Sequence, residues 1–203
     1  MDRPQSHVLD AYTVAVQRAT DRDAGYAAAS MERVGLHGLD ERGVATAAVA
    51  LGAVLQPGDV LLLEGPMGAG KTTFTRALAE GLAVRRPERV RSPTYNLCLI
   101  HDGPRPLVHV DLFRLAQTDE GSAPVGEAAF ESLGLDALGE GLGGPEPVLV
   151  VEWADLWAAP PADHLRIRLQ PEPDDHQRRT LIVNAHGSRA AERLAAWQPA
   201  APA

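Results

Sequence analysis

Short, wholly apolar runs alternate along this chain with amphipathic stretches, and turn-forming residues punctuate them. From 38 to 56, Val44, Ala48, Leu51 and Leu55 recur at helical spacing behind Asp40, which stands where a helix N-cap would. That pattern predicts an amphipathic helix, ended by Pro57-Gly58-Asp59. Val60 to Leu63 is apolar at every position, as in a strand covered on both faces. A glycine-rich turn, Gly65 to Gly70, leads into a second helical pattern, Lys71 to Leu82, with Phe74, Leu78 and Leu82 inward. Tyr95 to Ile100 and Leu107 to Val110 read as strands joined through Asp102-Gly103. Val148 to Val151 is another apolar strand, His164 to Leu169 and Thr180 to Val183 an antiparallel pair, and Ser188 to Trp197 a closing helix.

The remaining segments carry weaker patterns. Residues 116–126 are polar and small and read as a mobile loop; Ala128 to Leu138 reads as a weak helix. Residues 139–147, with four glycines and two prolines, read as a loop. In residues 1–36, Val8, Leu9, Tyr12 and Val16 hint at a helical stripe that Ala24 to Val34 could extend. The expected organisation is an N-terminal extension over 1–36, helical in part or disordered. One α/β domain over 37–197 and a disordered tail over 198–203 follow. There is no internal repeat.

Composition narrows the function classes. The 203 residues are 45% apolar, enough for one domain with a real core. The formal net charge of −8 argues against free-standing DNA or RNA binding, which calls for a basic face. Arg85, Arg86, Arg89 and Arg91 form a local exception. No apolar run approaches the roughly 20 residues that span a bilayer, and no signal-peptide pattern is present, so a cytoplasmic location is expected. The single cysteine, Cys98, lies in an apolar run and reads as a buried structural thiol.

The chemistry concentrates at Gly65-Pro66-Met67-Gly68-Ala69-Gly70-Lys71-Thr72, a full G-x-x-x-x-G-K-[ST] match. Behind a strand and before a helix, such a loop points successive N–H groups at phosphate oxygens. Lys71 is expected to contact β- and γ-phosphates, Thr72 to ligate Mg²⁺, and Thr73 to add a hydroxyl. Of 19 basic residues only Lys71 is a lysine, where a thin ammonium fits a phosphate cage better than a planar guanidinium does. Two apolar strands end in acids, Asp111 and Glu152, either of which could face a metal or orient water. Ser92-Pro93-Thr94 reads equally as an ordinary turn or as a switch segment offering a hydroxyl. Trp153 and Trp157 read as packing residues, and His109 as a packed or hydrogen-bonded histidine.

Taken together these stretches resemble the bacterial TsaE family, the ATPase component of the machinery that makes threonylcarbamoyladenosine in tRNA. The matching pieces are Leu55 to Val60, Gly65 to Phe74, Ser92 to Tyr95, His109 to Leu115, Leu133 to Asp136, and Glu152-Trp153. The resemblance covers about residues 40–185 and implies a P-loop NTPase-like three-layer sandwich with a mixed central sheet. It implies ATP and Mg²⁺ held by Gly65, Met67, Gly68, Ala69, Gly70, Lys71, Thr72 and Thr73. Thr94 would then be the switch hydroxyl, and Asp111 and Glu152 the hydrolysis and metal-side acids, Glu152 the nearer to the metal. Trp153 is placed near the nucleotide, against its reading from sequence alone, and Arg179 also approaches it. The implied activity is a weak ATPase that binds TsaD and TsaB homologues and lets them turn over, meeting tRNA only through that complex.

This chain departs from the family in having Pro66-Met67 early in the loop, Phe113 where tyrosine is common, and no clear threonine near Gly43 and Val44. Two other readings compete. A small-molecule P-loop kinase would call for an arginine-bearing lid, and residues 116–147 contain neither Arg nor Lys. A non-hydrolysing nucleotide-gated scaffold would have no use for an intact Lys71, Thr72 and two acids.

Overall fold

The computed structural model describes residues 14–19, 31–118, 121–134 and 145–199. Its centre is an eight-stranded mixed sheet. In chain order the strands are β1 (Val14–Ala19), β2 (Met31–Leu39), β3 (Val60–Glu64), β4 (Cys98–His101), β5 (Leu107–Asp111), β8 (Val148–Glu152), β9 (His164–Pro171) and β10 (Arg179–His186). Across the sheet they run β1-β2-β10-β9-β3-β8-β5-β4. The inner four, β9-β3-β8-β5, are parallel to one another, and the remaining pairings are antiparallel. β6 (Gln117–Thr118) and β7 (Gly121–Ser122) form a separate small ladder.

Alternation along the inner strands sorts side chains to two faces. Leu61, Leu63, Leu107, Val148 and Val150 join one core with α1 (Glu41–Val54), α2 (Lys71–Gly81) and α4 (Ser188–Ala196). Leu62, Val108, Val110 and Val151 join a second core on the opposite face. Among the described residues that face is covered by Leu112, Val125, the short α3 (Glu127–Glu131) and the turn Ala154–Leu156, with Phe130 stacked on Trp157 at 3.9 Å. Buried on both sides, the parallel strands must be apolar throughout.

Polar contacts join the layers. Asp40 caps α1, accepting from the Gly43 N–H at 2.7 Å. Buried Asp59 accepts from the Gln56 N–H at 2.7 Å and from Arg193 of α4 at 2.8 Å. Arg105 closes the C-terminal ends of two helices. Its guanidinium donates to the carbonyls of Gly52, Ala53 and Leu55 at 2.9, 3.1 and 2.6 Å, and to that of Gly81 at 2.7 Å. Terminal helix carbonyls lack partners of their own, and a cation there also opposes the helix dipole.

Several expectations need correction. Val16 and Val34, read within a helical extension, lie in strands; β2 crosses position 36 and carries the sheet into the segment set apart as an extension. Pairing on both edges, with β1 and β10, overrides the local pattern, and Val34 and Leu36 turn into the core. The strand expected from Tyr95 begins at Cys98, because Leu97 has φ 63° and breaks the extended run. Residues expected to be a mobile loop contain the β6–β7 ladder and buried Val125, which bridges to Trp157. Residues 1–13, 20–30, 119–120, 135–144 and 200–203 lie outside the described residues, and with them most of the expected extension, the end of the weak helix to Leu138 and most of the tail. Among the described residues, no helix is long and apolar enough to cross a membrane.

Two outcomes test these contacts. Arg105→Ala is expected to cost about 2–3 kcal/mol in urea unfolding, because four carbonyls lose a charged donor, with Arg105→Lys recovering only part. An unchanged urea midpoint would show the contacts to be inert. The second concerns Glu172, whose carboxylate accepts from the Thr180 hydroxyl at 2.7 Å and the Gly38 N–H at 2.8 Å, tying β2 to the β9–β10 end. These bonds, Thr180 first, hold its pKa below the ordinary 4.5. A depressed folded-state pKa stabilises above the unfolded value and is lost as pH falls through the folded one. The stability gap between wild type and Glu172→Gln is therefore expected at pH 7 and should shrink below the ordinary glutamate range. An equal gap at both pH values rules the linkage out.

Candidate functional site

The site lies where β3, β5 and β8 end and α2 begins. In β5 and β8, alternation places His109, Asp111 and Glu152 on the same face as Leu107 and Val150, the face that packs on α2. Parallel register then sets Asp111 directly beside Glu152. The loop from β3 arrives at the same edge and delivers Lys71 and Thr72 in the first turn of α2.

The loop backbone requires its glycines. Gly65 has φ 144°, and a Cβ there would lie 2.3 Å from the Leu169 carbonyl oxygen. Gly70, with φ 101°, sits just before α2, and a Cβ on it would project into open space where the loop curls. Amide groups of the curl and of the helix N-terminus form a concavity suited to an anion rich in oxygens. Lys71 Nζ donates to the carbonyls of Gly65 and Pro66 at 2.7 and 3.1 Å and lies 3.8 Å from the Trp153 ring centroid. Burial lowers the Lys71 pKa, and Glu152, Asp111 and Asp155 oppose that shift in part.

The two acids are held differently. Glu152, 2% exposed, accepts from the Thr72 hydroxyl through Oε2 at 3.1 Å, and its Oε1 is 2.8 Å from His109 Nε2. Asp111, 1% exposed, accepts from the Phe113 N–H through Oδ1 at 2.9 Å. Its Oδ2 accepts from Thr94 and Ser92 hydroxyls at 2.5 and 3.2 Å. Glu152 is thus held by the sheet and α2, whereas Asp111 is held by the segment that links α2 to β4. Among the described residues no group of three or more His, Cys, Asp or Glu is arranged to hold a metal ion. A hard cation here would take Thr72 and one carboxylate from the protein and its remaining oxygens from a bound anion or water, which is how Mg²⁺ binds beside phosphates.

Trp153 follows β8 in a left-handed conformation, φ 58° and ψ 40°. Such strain costs about 1–3 kcal/mol for a non-glycine residue. Its ring meets Phe113 at 4.8 Å between centroids, in addition to Lys71. An aromatic pair returns about 0.5–1.5 kcal/mol and a partly buried cation–π contact about 1–2 kcal/mol, so the two contacts are comparable to the strain. Trp153 is therefore held against Lys71 and Phe113 in a strained turn at the end of β8.

Met67, Gly68, Gly70, Lys71, Thr72, Thr73, Thr94, Asp111, Glu152 and Trp153 line one cleft, with Ser92 and Phe113. Gly68, Gly70 and Thr73 also border a second, larger cleft of about 800 Å³, reached past Ala69 and walled by Asp40, Arg42, Val44, His176 and Arg179. Arg179 Nε donates to the Ala69 carbonyl at 3.2 Å, so Arg179 abuts the loop from the side of this second cleft. Gly65 lies beneath the loop against Leu169. His109, read as a packed or hydrogen-bonded histidine, is both, while the sequence pattern did not show that Ser92 would meet Asp111 or that Phe113 would meet Trp153. For His109 a signal existed: period two along His109-Val110-Asp111 puts it on the face of the acid.

Residues 39–181 match the family model described as "Threonylcarbamoyl adenosine biosynthesis protein TsaE". The tRNA threonylcarbamoyladenosine biosynthesis protein TsaE of Bacillus subtilis is 40% identical over 139 residues, 68% of this chain and 76% of that protein. Its counterpart of the same name in Streptomyces coelicolor is 38% identical over 146 residues, 68% of this chain and 88% of that protein. A crystal structure of Bacillus subtilis YdiB superposes with a TM-score of 0.58 at 25% identity, covering 83% of this chain and 95% of that one. A P-loop-like α/β fold with this arrangement of residues, matched over most of its length, places the chain in the TsaE family of tRNA threonylcarbamoyladenosine biosynthesis proteins.

Proposed function

We propose that this chain binds ATP with Mg²⁺ and hydrolyses it slowly, as the ATPase subunit that lets a TsaD–TsaB pair turn over in tRNA threonylcarbamoyladenosine synthesis. The observation that carries the reading is the convergence of Lys71, Thr72, Asp111 and Glu152 at one edge of the sheet. Lys71 and the amides of Gly68 to Thr73 would hold the phosphates. Thr72 and Glu152 would hold Mg²⁺, which when bound supplies positive charge to the phosphate oxygens as they are transferred. Asp111, which accepts from Thr94 and Ser92, would orient the attacking water. His109 fixes the rotamer of Glu152 from within the sheet. The second cleft, beside Val44 and Arg179, would take the base and ribose.

Family membership supports the pathway, and the surface supports a partner. Met67, 74% exposed, lines the cleft, and Tyr95, 86% exposed, follows Thr94 of its lining; a docking protein would cover both. Such a partner would complete a site that hydrolyses ATP poorly alone, in the cytoplasm where tRNA is modified. The absence of Arg and Lys from 116–147 disfavours a kinase lid.

Lys71→Ala is expected to weaken binding of a fluorescent ATP analogue by about a hundredfold or more, since it removes the charge that faces the phosphates. Glu152→Gln should bind the analogue but release phosphate at least about a hundredfold more slowly. His109→Asn should cost about tenfold in kcat with little change in KM, the size of a lost orienting contact. Equal rates for wild type and Glu152→Gln would refute the assignment. In cells depleted of this protein, mass spectrometry of bulk tRNA should show less threonylcarbamoyladenosine, restored by wild type and not by Lys71→Ala. Unchanged tRNA would remove the pathway from the proposal.

A further inference from the structure

Most arginines described in this protein are engaged. Arg105 closes helix ends, Arg166 and Arg168 clamp Glu64, Arg189 and Arg193 clamp Asp59, and Arg179 holds Ala69. Arg85, Arg86, Arg89 and Arg91 are the contrast: all are exposed, and none of their guanidinium groups has an acid or hydrogen-bond acceptor among the described residues. Three of them, Arg85, Arg86 and Arg89, line a cleft of about 360 Å³ with Val84, Ile100, His101 and Asp102. His101 brings a buried Nε2 that has no hydrogen-bond partner. Asp102 is the single acid lining the cleft, and Glu88 lies on the intervening turn.

The backbone that carries these side chains is firmly held. The turn Pro87–Arg89 closes through the Arg89 N–H to the Arg86 carbonyl and the Val90 N–H to the Pro87 carbonyl, both at 3.0 Å. Arg76 of α2 donates to the Val90 carbonyl at 3.0 Å, and the Arg85 N–H donates to the Asp102 carbonyl at 2.8 Å. A rigid turn presenting unpaired guanidinium groups is pre-organised for an anion. Like charges crowded into seven residues are tolerable when a polyanion neutralises them, and the planar fork of arginine matches phosphate oxygens in pairs.

We propose that Arg85, Arg86 and Arg89 form a docking patch for the phosphodiester backbone of RNA, a local positive surface on a chain whose net charge is −8. The choice of RNA over an acidic protein follows from the family's place in tRNA modification, on which this inference rests. No Phe, Tyr or Trp lines the cleft, and the one imidazole there, His101, has its Nε2 buried, so the contact positions the backbone and reads no bases. The patch leads through Arg91 directly into Ser92-Pro93-Thr94, whose hydroxyls bond Asp111. RNA seated there pulls on the same segment that holds the candidate hydrolysis acid.

The test is fluorescence anisotropy of end-labelled tRNA titrated with the full chain at about 50 and 200 mM salt, comparing wild type, Arg85→Ser/Arg86→Ser/Arg89→Ser and Arg33→Ser. Each phosphate contact contributes a slope near 0.7–0.9 to the fall of log affinity with log salt, so the triple variant should lose a slope of about 2–3 and at least about tenfold in affinity at low salt. Arg33→Ser, another exposed arginine, should match wild type. Equal binding by wild type and the triple variant, or no binding by wild type, overturns the patch. Displacement by poly-glutamate as effective as by unlabelled tRNA also overturns it, in favour of an acidic protein partner. Binding of a fluorescent ATP analogue, measured on the same samples, shows that the triple variant is folded and separates the two readings. Loss of tRNA binding in the triple variant with analogue binding intact supports the patch. Failure of wild type to bind the analogue while it binds tRNA sinks the ATPase reading and leaves the patch standing.

Discussion

The arrangement turns on one buried carboxylate. Glu152 ends β8 inside the protein, where an unpaired charge would cost several kcal/mol, so each oxygen must find a donor. One partner is Thr72 in the first turn of α2; the other is His109 on the neighbouring strand. Meeting both demands fixes how the loop enters the helix and keeps β5 and β8 in register. The strained turn at Trp153 follows, because the chain must leave the strand sharply while its ring stays against Lys71 and Phe113. Lys71, partly desolvated in the same space, is balanced by the two acids and Asp155.

The second carboxylate is constrained in another way. Asp111 shares the edge of the sheet with Glu152, yet its outer oxygen is held by Ser92 and Thr94, which belong to a connection between elements. A hydroxyl on a connecting segment shifts with less disruption than one on a packed helix, since fewer buried contacts hold it. One acid is therefore tied to the rigid frame and the other to a part of the chain that surface events can reach. The arginines divide along the same line: those inside the fold are committed to carbonyls and acids, and those on the approach to Ser92 have no partner in the described protein.

Much of this was legible from sequence because it depends on local rules. Apolar runs with a period of one or two identify β3, β5 and β8, and Asp40 marks the start of α1 through its cap. The glycine loop between a strand and a helix admits few conformations, so its residue types alone place Lys71 and Thr72. Even the alliance of His109 with Glu152 was half visible, in the alternation that sets His109 and Asp111 on one face. The N-terminal strands were not legible: β2 is a strand because β1 and β10 pair with it, and its pairing with β10, across more than a hundred residues, leaves no local mark. Nor did any local pattern show that the Trp153 ring would meet Lys71 and Phe113.

The sequence by itself determined the glycine loop between β3 and α2, the α/β alternation and the family, because each rests on residue types at fixed local spacing. Tertiary structure alone decided which acid Thr72 meets, which one the Ser92–Thr94 hydroxyls hold, and which arginines go unpartnered. Those outcomes depend on strand order, register and the face each side chain takes, which are settled only when distant segments pack together.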